Sequence, residues 1–442
     1  MTKTPSSELS RRKFISHSSA ALGATAFGPF ILRGKNLNSK VNVAAIGAGG
    51  KGSSDTDNNA RCGANIVALC DVDLGRLRAR GEKYPGAATY QDFRKMLEKE
   101  KSIDAVSVST PDHMHAVAAI TAMKMGKHVY VQKPLTQSVY EARLMRKVAK
   151  EQKVATQMGN QGHSNPDSRR YVELIQAGVL GDVKEVHIWT DRPIWPQGIG
   201  RPSGSPPVPK NVNWDLWLGP APERPYHPAY HPFKWRGFWD FGTGAVGDMG
   251  CHNSDLAYWA LNLRDPETLE AVSSGINDET APKWSIITYH FPKLGKRKAV
   301  KVTWYDGGKK PDPALARQKE LPGNGSILIG SKDTLYIPMY WGKGTFLSGA
   351  TVADHKDVPE TIEKPADFNR HHYLEWIGAC KGGKPAWSSF DYAGPMTEAM
   401  LLGLVALRSG KKIEWDAKKM RVKNVPEANR FIHSEYRKGW VL

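Results

Sequence analysis

The chain has 442 residues, room for two or three folded units at roughly 150 residues each. Its 40% hydrophobic and 24% charged residues exclude a disordered, collagenous or coiled-coil protein. A formal net charge of +18 invites a nucleic-acid or anionic-surface reading, which the motifs have to support or displace. No apolar run approaches about 18 residues, so no membrane anchor is expected in the mature form. Cys62, Cys70, Cys251 and Cys380 lie far apart, without the spacing of a zinc site or disulfide framework.

Ser10-Arg11-Arg12-Lys13-Phe14-Ile15 match the twin-arginine export pattern, followed by a mildly apolar stretch from about Ala20 to Leu32. Ala24-Thr25-Ala26 offers small residues for cleavage. Residues 1–33 therefore read as a signal peptide. Its destination is periplasmic or otherwise extracytoplasmic, and its cargo travels folded with any cofactor already bound. Without export, the same residues are a disordered tail with a chance arginine pair.

Val41–Ile46 is an apolar run of strand length, and Gly47-Ala48-Gly49-Gly50-Lys51-Gly52 follows at once. In this G-x-G-x-x-G pattern Gly47 permits the tight turn and Gly49 lets backbone approach a pyrophosphate. Gly52 lets the next helix pack close, and that helix N-terminus favours phosphate charge. A second strand, Ile66–Cys70, ends at Asp71, 24 residues after Gly47. A carboxylate there accepts from ribose hydroxyls and repels a 2′-phosphate, so NAD is favoured over NADP. Lys51 and Arg76 could each meet a phosphate; Asp73 could share the ribose role but better suits capping of the following helix.

Strand and helix then alternate: strand 103–109, helix 112–125, strand 127–131, helix 137–152, strand 153–158. Polar groups gather at strand ends, where ligands bind in such sheets: Thr110, Pro111, His113 and His115, then Gln132 and Lys133, then Asn160 and Gln161. His113 reads as loop and core chemistry; Lys133 does not.

Three motifs resemble the Gfo/Idh/MocA (glucose–fructose oxidoreductase / inositol dehydrogenase) family: the glycine loop with Asp71, Lys133-Pro134 matching E-K-P, and Gly244–Asp255, GAVGDMGCHNSD. Gln132 stands where that family usually has Glu. The resemblance implies an α/β protein. An N-terminal Rossmann dinucleotide-binding domain (34–160) would precede a C-terminal α+β substrate-binding and oligomerisation domain (161–442) with a large, mostly antiparallel open sheet. It implies a homo-oligomer, a dimer or tetramer. It also implies catalytic Lys133, Asp248 and His252, with cofactor contacts from Gly47, Gly49, Gly50, Lys51, Gly52, Asp71, Thr110, Pro111, His115, Lys133 and Gln161. Residues 157–163 and the stretch from Trp415 resemble an exported bacterial subgroup.

These residue types suit alcohol oxidation, which removes a hydride from carbon and a proton from oxygen. His252 titrates near neutrality, and Asp248 lies one helical turn earlier on the same face. Lys133 would hold the substrate oxygen and stabilise developing negative charge. Asp248 and His252 could instead grip zinc, but no third ligand is apparent and no metal is expected. The bland alternative makes Asp248 a helix cap and His252 a core histidine.

The second domain is expected to hold a helix near 166–177 and strands near 183–190, 268–274, 283–290, 299–304, 326–329 and 334–337. Helices near 368–380 and 395–408 follow, the second starting at Pro395. Residues 191–241 are rich in Pro and Gly yet carry ten large aromatics, which a solvated linker would not. They read as an ordered loop walling the site, with Trp235, Arg236 and His227 as candidate sugar contacts. Most of its rings could equally pack a core.

Outside the cytoplasm no free nicotinamide pool is expected. A hydride must then pass between two bound sugars, return to the same substrate, or leave a keto-sugar whose cofactor another partner reoxidises. The favoured function is an oxidoreductase for a secondary alcohol of a sugar, glycoside or polyol, with tightly bound NAD. The alternatives are a redox-neutral NAD-dependent glycosidase, as in α-N-acetylgalactosaminidases that the chain also resembles, and a non-catalytic NAD-binding protein. No helix-turn-helix, RNA-binding or zinc-finger signature is present, so no nucleic-acid partner is expected. Residues 1–33 carry five basic groups and one acid, and residues 408–442 ten and four, so much of the excess charge is terminal.

Overall fold

The structure is a computed structural model and describes residues 40–442, which form one compact unit. The export segment and the cleavage site lie outside the described residues. Among the described residues no helix is long and apolar enough to cross a membrane.

The alternating apolar runs build a six-stranded parallel sheet from β1 (Asn42–Ile46), β2 (Asn65–Cys70), β3 (Ala88–Tyr90), β4 (Ala105–Val108), β5 (His128–Val131) and β6 (Thr156–Met158). Their order is β3-β2-β1-β4-β5-β6. β4 is buried at every position and β1 at four of five, as expected for strands covered by helices on both faces. The order reverses between β1 and β4, so Gly47 and Ser109 flank the switch point where such sheets bind ligands. Helix starts follow local chemistry. Asp73 caps the helix Leu74–Lys83 by accepting from the Gly75 and Arg76 amides, and Ser138 with Glu141 forms a capping box for Val139–Gln152.

After β6 the chain forms helix Pro166–Gln176 and then a nine-stranded sheet: β7 (Val183–Trp189), β8 (Thr268–Ser273), β9 (Ser285–Phe291), β10 (Val300–Tyr305), β11 (Gly325–Gly330), β12 (Thr334–Ile337), β13 (Thr345–Phe346), β14 (Ile413–Asp416) and β15 (Arg421–Val422). The order is β13-β12-β11-β7-β10-β9-β8-β14-β15. β7 and β10 pair parallel and the remaining neighbours antiparallel. β9 alternates strictly between buried and half-buried positions, the signature of a sheet covered on one face.

The helix expected to start at Pro395 begins at Phe390 and runs to Ser409, with Pro395 inside it. The Phe390 side chain is buried and its amide bonds the Thr156 hydroxyl, which anchors the start earlier than the proline. This almost wholly buried helix packs on helix Val139–Gln152, on β8 and on helix Gly244–Asn253. One hydrophobic cluster consequently runs through both sheets, from Val106 and Val129 to Leu402 and Ile287.

Candidate active site

Backbone geometry at the first turn is glycine-specific. Gly47 has φ +79°, and a Cβ there would lie 2.7 Å from the Ser109 carbonyl oxygen. A Cβ on Gly52 would collide with the Gly47 carbonyl, so helix Lys51–Arg61 packs against the turn only with glycine there. Gly50 precedes that helix at φ +54°, and no side chain caps the helix. The Gly52 and Ser53 amides bond the carbonyls of Gly49 and Gly50, and Gly50 and Lys51 at the helix start line an adjoining cavity of about 440 Å³, toward which the positive end of the helix dipole lies.

That cavity runs from Asp71 and Arg76 past Gly47, Gly49, Gly50 and Lys51 to Thr110, Pro111 and Lys133. Asp71 accepts from the Gly49 amide at 2.8 Å and the Asp73 amide at 3.0 Å. Burial raises its pKa against those two bonds. A carboxylate offers about four acceptor positions, so hydroxyls of a ribose can still be bound. The Thr110 hydroxyl is buried without a partner at the same cavity wall. An uncapped helix start, an orphaned hydroxyl and a carboxylate at the end of β2 together fit a dinucleotide.

Lys133, at the end of β5, donates to the Asp248 backbone oxygen at 2.7 Å and to Asp248 Oδ1 at 2.8 Å. Asp248 and His252 lie one turn apart on helix Gly244–Asn253. Burial pushes the Asp248 carboxyl up, but Lys133 and Arg236 outweigh it and hold the pKa at about 2. Arg236 lies 3.4 Å from Asp248 Oδ1, and Arg192 lies 3.7 Å from Oδ2. Burial lowers His252 to about 3, with the Lys133 charge adding to that and Asp248 opposing it. Asp248 is thus the fixed anion, and His252 is a neutral ring.

Asp248 does not orient His252 directly, since no hydrogen bond or ion pair joins them among the described residues. The reason is competition: one lysine and two arginines already surround the carboxylate. His252 Nδ1 is buried without a partner, and Tyr340 and Trp341 pack on the ring at centroid distances of 6.0 and 5.6 Å.

The aromatic loop divides. Trp217, Tyr230, Phe238 and Phe241 form a small core of their own, beneath Arg224, which pairs with Asp240 and Glu279. Trp235 and Arg236 do line the cavity, with the guanidinium 4.4 Å from the Trp235 ring centroid and bonded to Asp112 at 2.8 Å. His227 does not; its Nδ1 accepts the Ala229 amide inside its own turn. His115 is buried, with its two ring nitrogens 2.8 and 2.9 Å from the carbonyls of Pro134 and Thr110, so it braces the turn and is held off the cavity. Gln161 also stays off the cavity wall, donating to the hydroxyls of Tyr130 and Tyr373. Asp55, Asp112, Arg192, Tyr340 and Trp341 were not expected. Asp55 follows Gly52 by three residues and Asp112 follows Thr110 by two, but neither belongs to a motif read from the sequence, while Arg192 and the adjacent Tyr340 and Trp341 come from separate stretches of chain.

Matches to known families agree with this geometry. "Oxidoreductase family, NAD-binding Rossmann fold" matches residues 41–160, and "Oxidoreductase family, C-terminal alpha/beta domain" matches residues 174–297, together more than half of the chain. Inositol 2-dehydrogenase of Salmonella typhimurium is 30% identical over 152 residues, 34% of this chain and 44% of that protein. The scyllo-inositol 2-dehydrogenase (NAD(+)) of Bacillus subtilis is 29% identical over 174 residues, 39% of this chain and 48% of that protein. The chain thus spans under half the length of these curated relatives. The solved WlbA dehydrogenase of Bordetella pertussis, in complex with NADH and UDP-GlcNAcA, shares the fold at a TM-score of 0.60 and 19% identity, over 86% of this chain and 99% of that one. The aldose-aldose oxidoreductase of Caulobacter crescentus does so at 0.59 and 16%, over 85% and 100%. With both domain matches in chain order and the glycine loop, Asp71, Lys133, Asp248 and His252 in place, the chain belongs to the Gfo/Idh/MocA family of oxidoreductases with an NAD-binding Rossmann fold.

Proposed function

We propose that this protein is an exported oxidoreductase that uses a tightly held NAD to oxidise a secondary alcohol on a sugar, glycoside or polyol. One observation carries the reading: Lys133 lines the same cavity as the glycine loop and Asp71, and its ammonium is bonded to Asp248, one helical turn from His252. Bound NAD would supply the hydride acceptor.

The protein's own residues would do the rest. Asp248 fixes the Lys133 ammonium, whose remaining N–H donates to the substrate oxygen and stabilises alkoxide character. His252, neutral in the resting site, takes the hydroxyl proton. Burial chiefly depresses the imidazole, and a developing alkoxide offsets the Lys133 and Arg236 charges that add to it, so the ring's basicity rises as the reaction proceeds. Trp235 and Arg236 offer an apolar face and donors to a ring bearing hydroxyls. The cyclic polyols named for the curated relatives support the substrate class. Ser10–Ile15 support export, and the broad one-faced sheet supports a homo-oligomer.

A panel of glycosides and polyols incubated with purified protein tests this. A keto product or a change in nicotinamide absorbance is the expected result. Cleavage of a glycosidic bond with no net cofactor change would assign the redox-neutral glycosidase instead. Bound NAD with neither outcome would assign a binding protein.

A further inference from the structure

Asp55 is fully buried, one turn into the helix that follows the glycine loop. A lone buried carboxylate is costly, so its partners carry information. Lys51 Nζ donates to Oδ1 at 2.7 Å, and the Tyr373 hydroxyl donates to Oδ1 at 2.6 Å. Ser109 Oγ donates to Oδ2 at 2.7 Å, and Gln132 Nε2 lies 3.1 and 2.9 Å from the two oxygens. One cation and three neutral donors surround the group, the pattern an ionised carboxylate requires.

Gln132 is the residue immediately before Lys133. With its amide nitrogen committed to Asp55, its Oε1 turns to the Lys133 backbone N–H at 3.3 Å. The amide packs closely on Gly159, where a Cβ would lie 2.6 Å from Nε2, so a glycine at 159 makes room for it. A glutamate at 132 would put a second carboxylate about 3 Å from the first, where two like charges cannot both stay ionised. An acid at 55 and an amide at 132 are therefore complementary halves of one arrangement.

We propose that Asp55 is a positioning residue. Its buried carboxylate supplies the negative charge that the lysine-bearing turn lacks at Gln132, holding Lys51 at the rim of the cofactor cavity and Gln132–Lys133 in register with Asp248. Its catalytic consequence rests on the proposed function; its structural consequence does not.

A charge swap tests it. Full-length Asp55→Asn, Gln132→Glu and the double variant are compared with the parent for NADH affinity by fluorescence titration, thermal midpoint, and kcat and KM on a substrate found active. Asp55→Asn should weaken NADH binding about tenfold and lower kcat/KM about a hundredfold, mainly through kcat. Gln132→Glu should lower the thermal midpoint and weaken NADH similarly. The double variant, with the charge moved to 132, should recover to within about threefold of the parent. A double variant no better than the worse single, or an Asp55→Asn protein that binds NADH as the parent does, overturns the proposal. If no variant folds, Tyr373→Phe decides, since it removes one donor to Asp55 with little change in volume. NADH weakened about threefold supports the network, and unchanged affinity overturns it. NADH affinity needs no sugar, so a parent inert toward every alcohol would sink the proposed function while leaving this test readable.

Discussion

Lys133 is the residue on which the chemistry turns, because its ammonium touches the Asp248 carboxylate while its turn borders the cofactor cavity. Replacing it by methionine keeps length and apolar stem but removes the only donors at that position. Lys133→Met should lower kcat/KM about a thousandfold, as when a donor to a developing oxyanion is lost. Steady-state kinetics checks this, and full retention of activity would remove Lys133 from the mechanism. At the other end of the cavity, Asp71 spends part of its acceptor capacity on the Gly49 and Asp73 amides. Asp71→Ser keeps a small acceptor but discards the charge that would face a 2′-phosphate. It should shift the NADP-to-NAD affinity ratio toward NADP by on the order of tenfold, with Arg76 nearby to receive the phosphate. Titration with both reduced cofactors measures the ratio, and an unchanged ratio would mean Asp71 does not discriminate between them.

Among the elements, the long aromatic segment and the C-terminus form a strap across the cofactor cavity. Asn211 and Asn213 exchange backbone bonds with Leu74 and Val72, extending β2 beyond its end. Arg437 pairs with Asp215, and Trp440 packs on Phe93 and under Arg94 while lining the cavity. Trp440→Ala should therefore speed NADH release and raise its Kd about tenfold, the worth of one large apolar contact. Stopped-flow displacement reads the off-rate directly, and a rate equal to the parent's would show that the strap is not a barrier. Strong periodicity made the parallel sheet legible, since buried strands are continuous apolar runs and Gly47–Gly52 has one backbone solution. Helix Gly244–Asn253 was legible through its motif alone, because four residues with little or no side chain leave no amphipathic stripe. The two-residue strands β13 and β15 were not legible, being set by their partners. Nor were Arg192, Tyr340 and Trp341, which reach His252 and Asp248 only through tertiary folding. Pro395 misled because a proline at the sixth helical position forfeits only one bond near the helix start.

For the whole molecule, buried histidines make stability depend on pH in a definite direction. His113 is sealed between the carbonyls of Trp217 and Phe241, and burial holds it at about 4. His372 contacts the Met158 carbonyl and the Ser164 hydroxyl, and burial likewise holds it at about 4. Burial and then the Arg76 charge bring His231 to about 4, and His252 lies at about 3. An unfolded histidine titrates near 6.5, so the unfolded chain binds more protons than the native one as pH falls below that value. These groups contribute their full stability above about pH 6.5 and lose it progressively toward pH 4. Asp306 opposes them: burial raises it to about 6, so its folded form gains stability as pH falls through that value. Burial also raises Asp71, Glu141 and Glu398 and lowers His115, His187 and His433, so seven depressed histidines outweigh four raised carboxyls, and each tenfold difference in proton affinity is worth about 1.4 kcal/mol. Depressed carboxylates such as Glu173 and Glu375, both at about 2, add their own loss only below about pH 4.5, a separate and later step. Calorimetry from pH 8 to pH 4 should give a thermal midpoint that is level above about pH 7 and falls steeply below about pH 6. A midpoint level or rising between about pH 7 and pH 5 would mean that these histidines gain solvent or partners in the native protein, reopening the aromatic core around His113 and the packing of helix Phe368–Cys380 on β6.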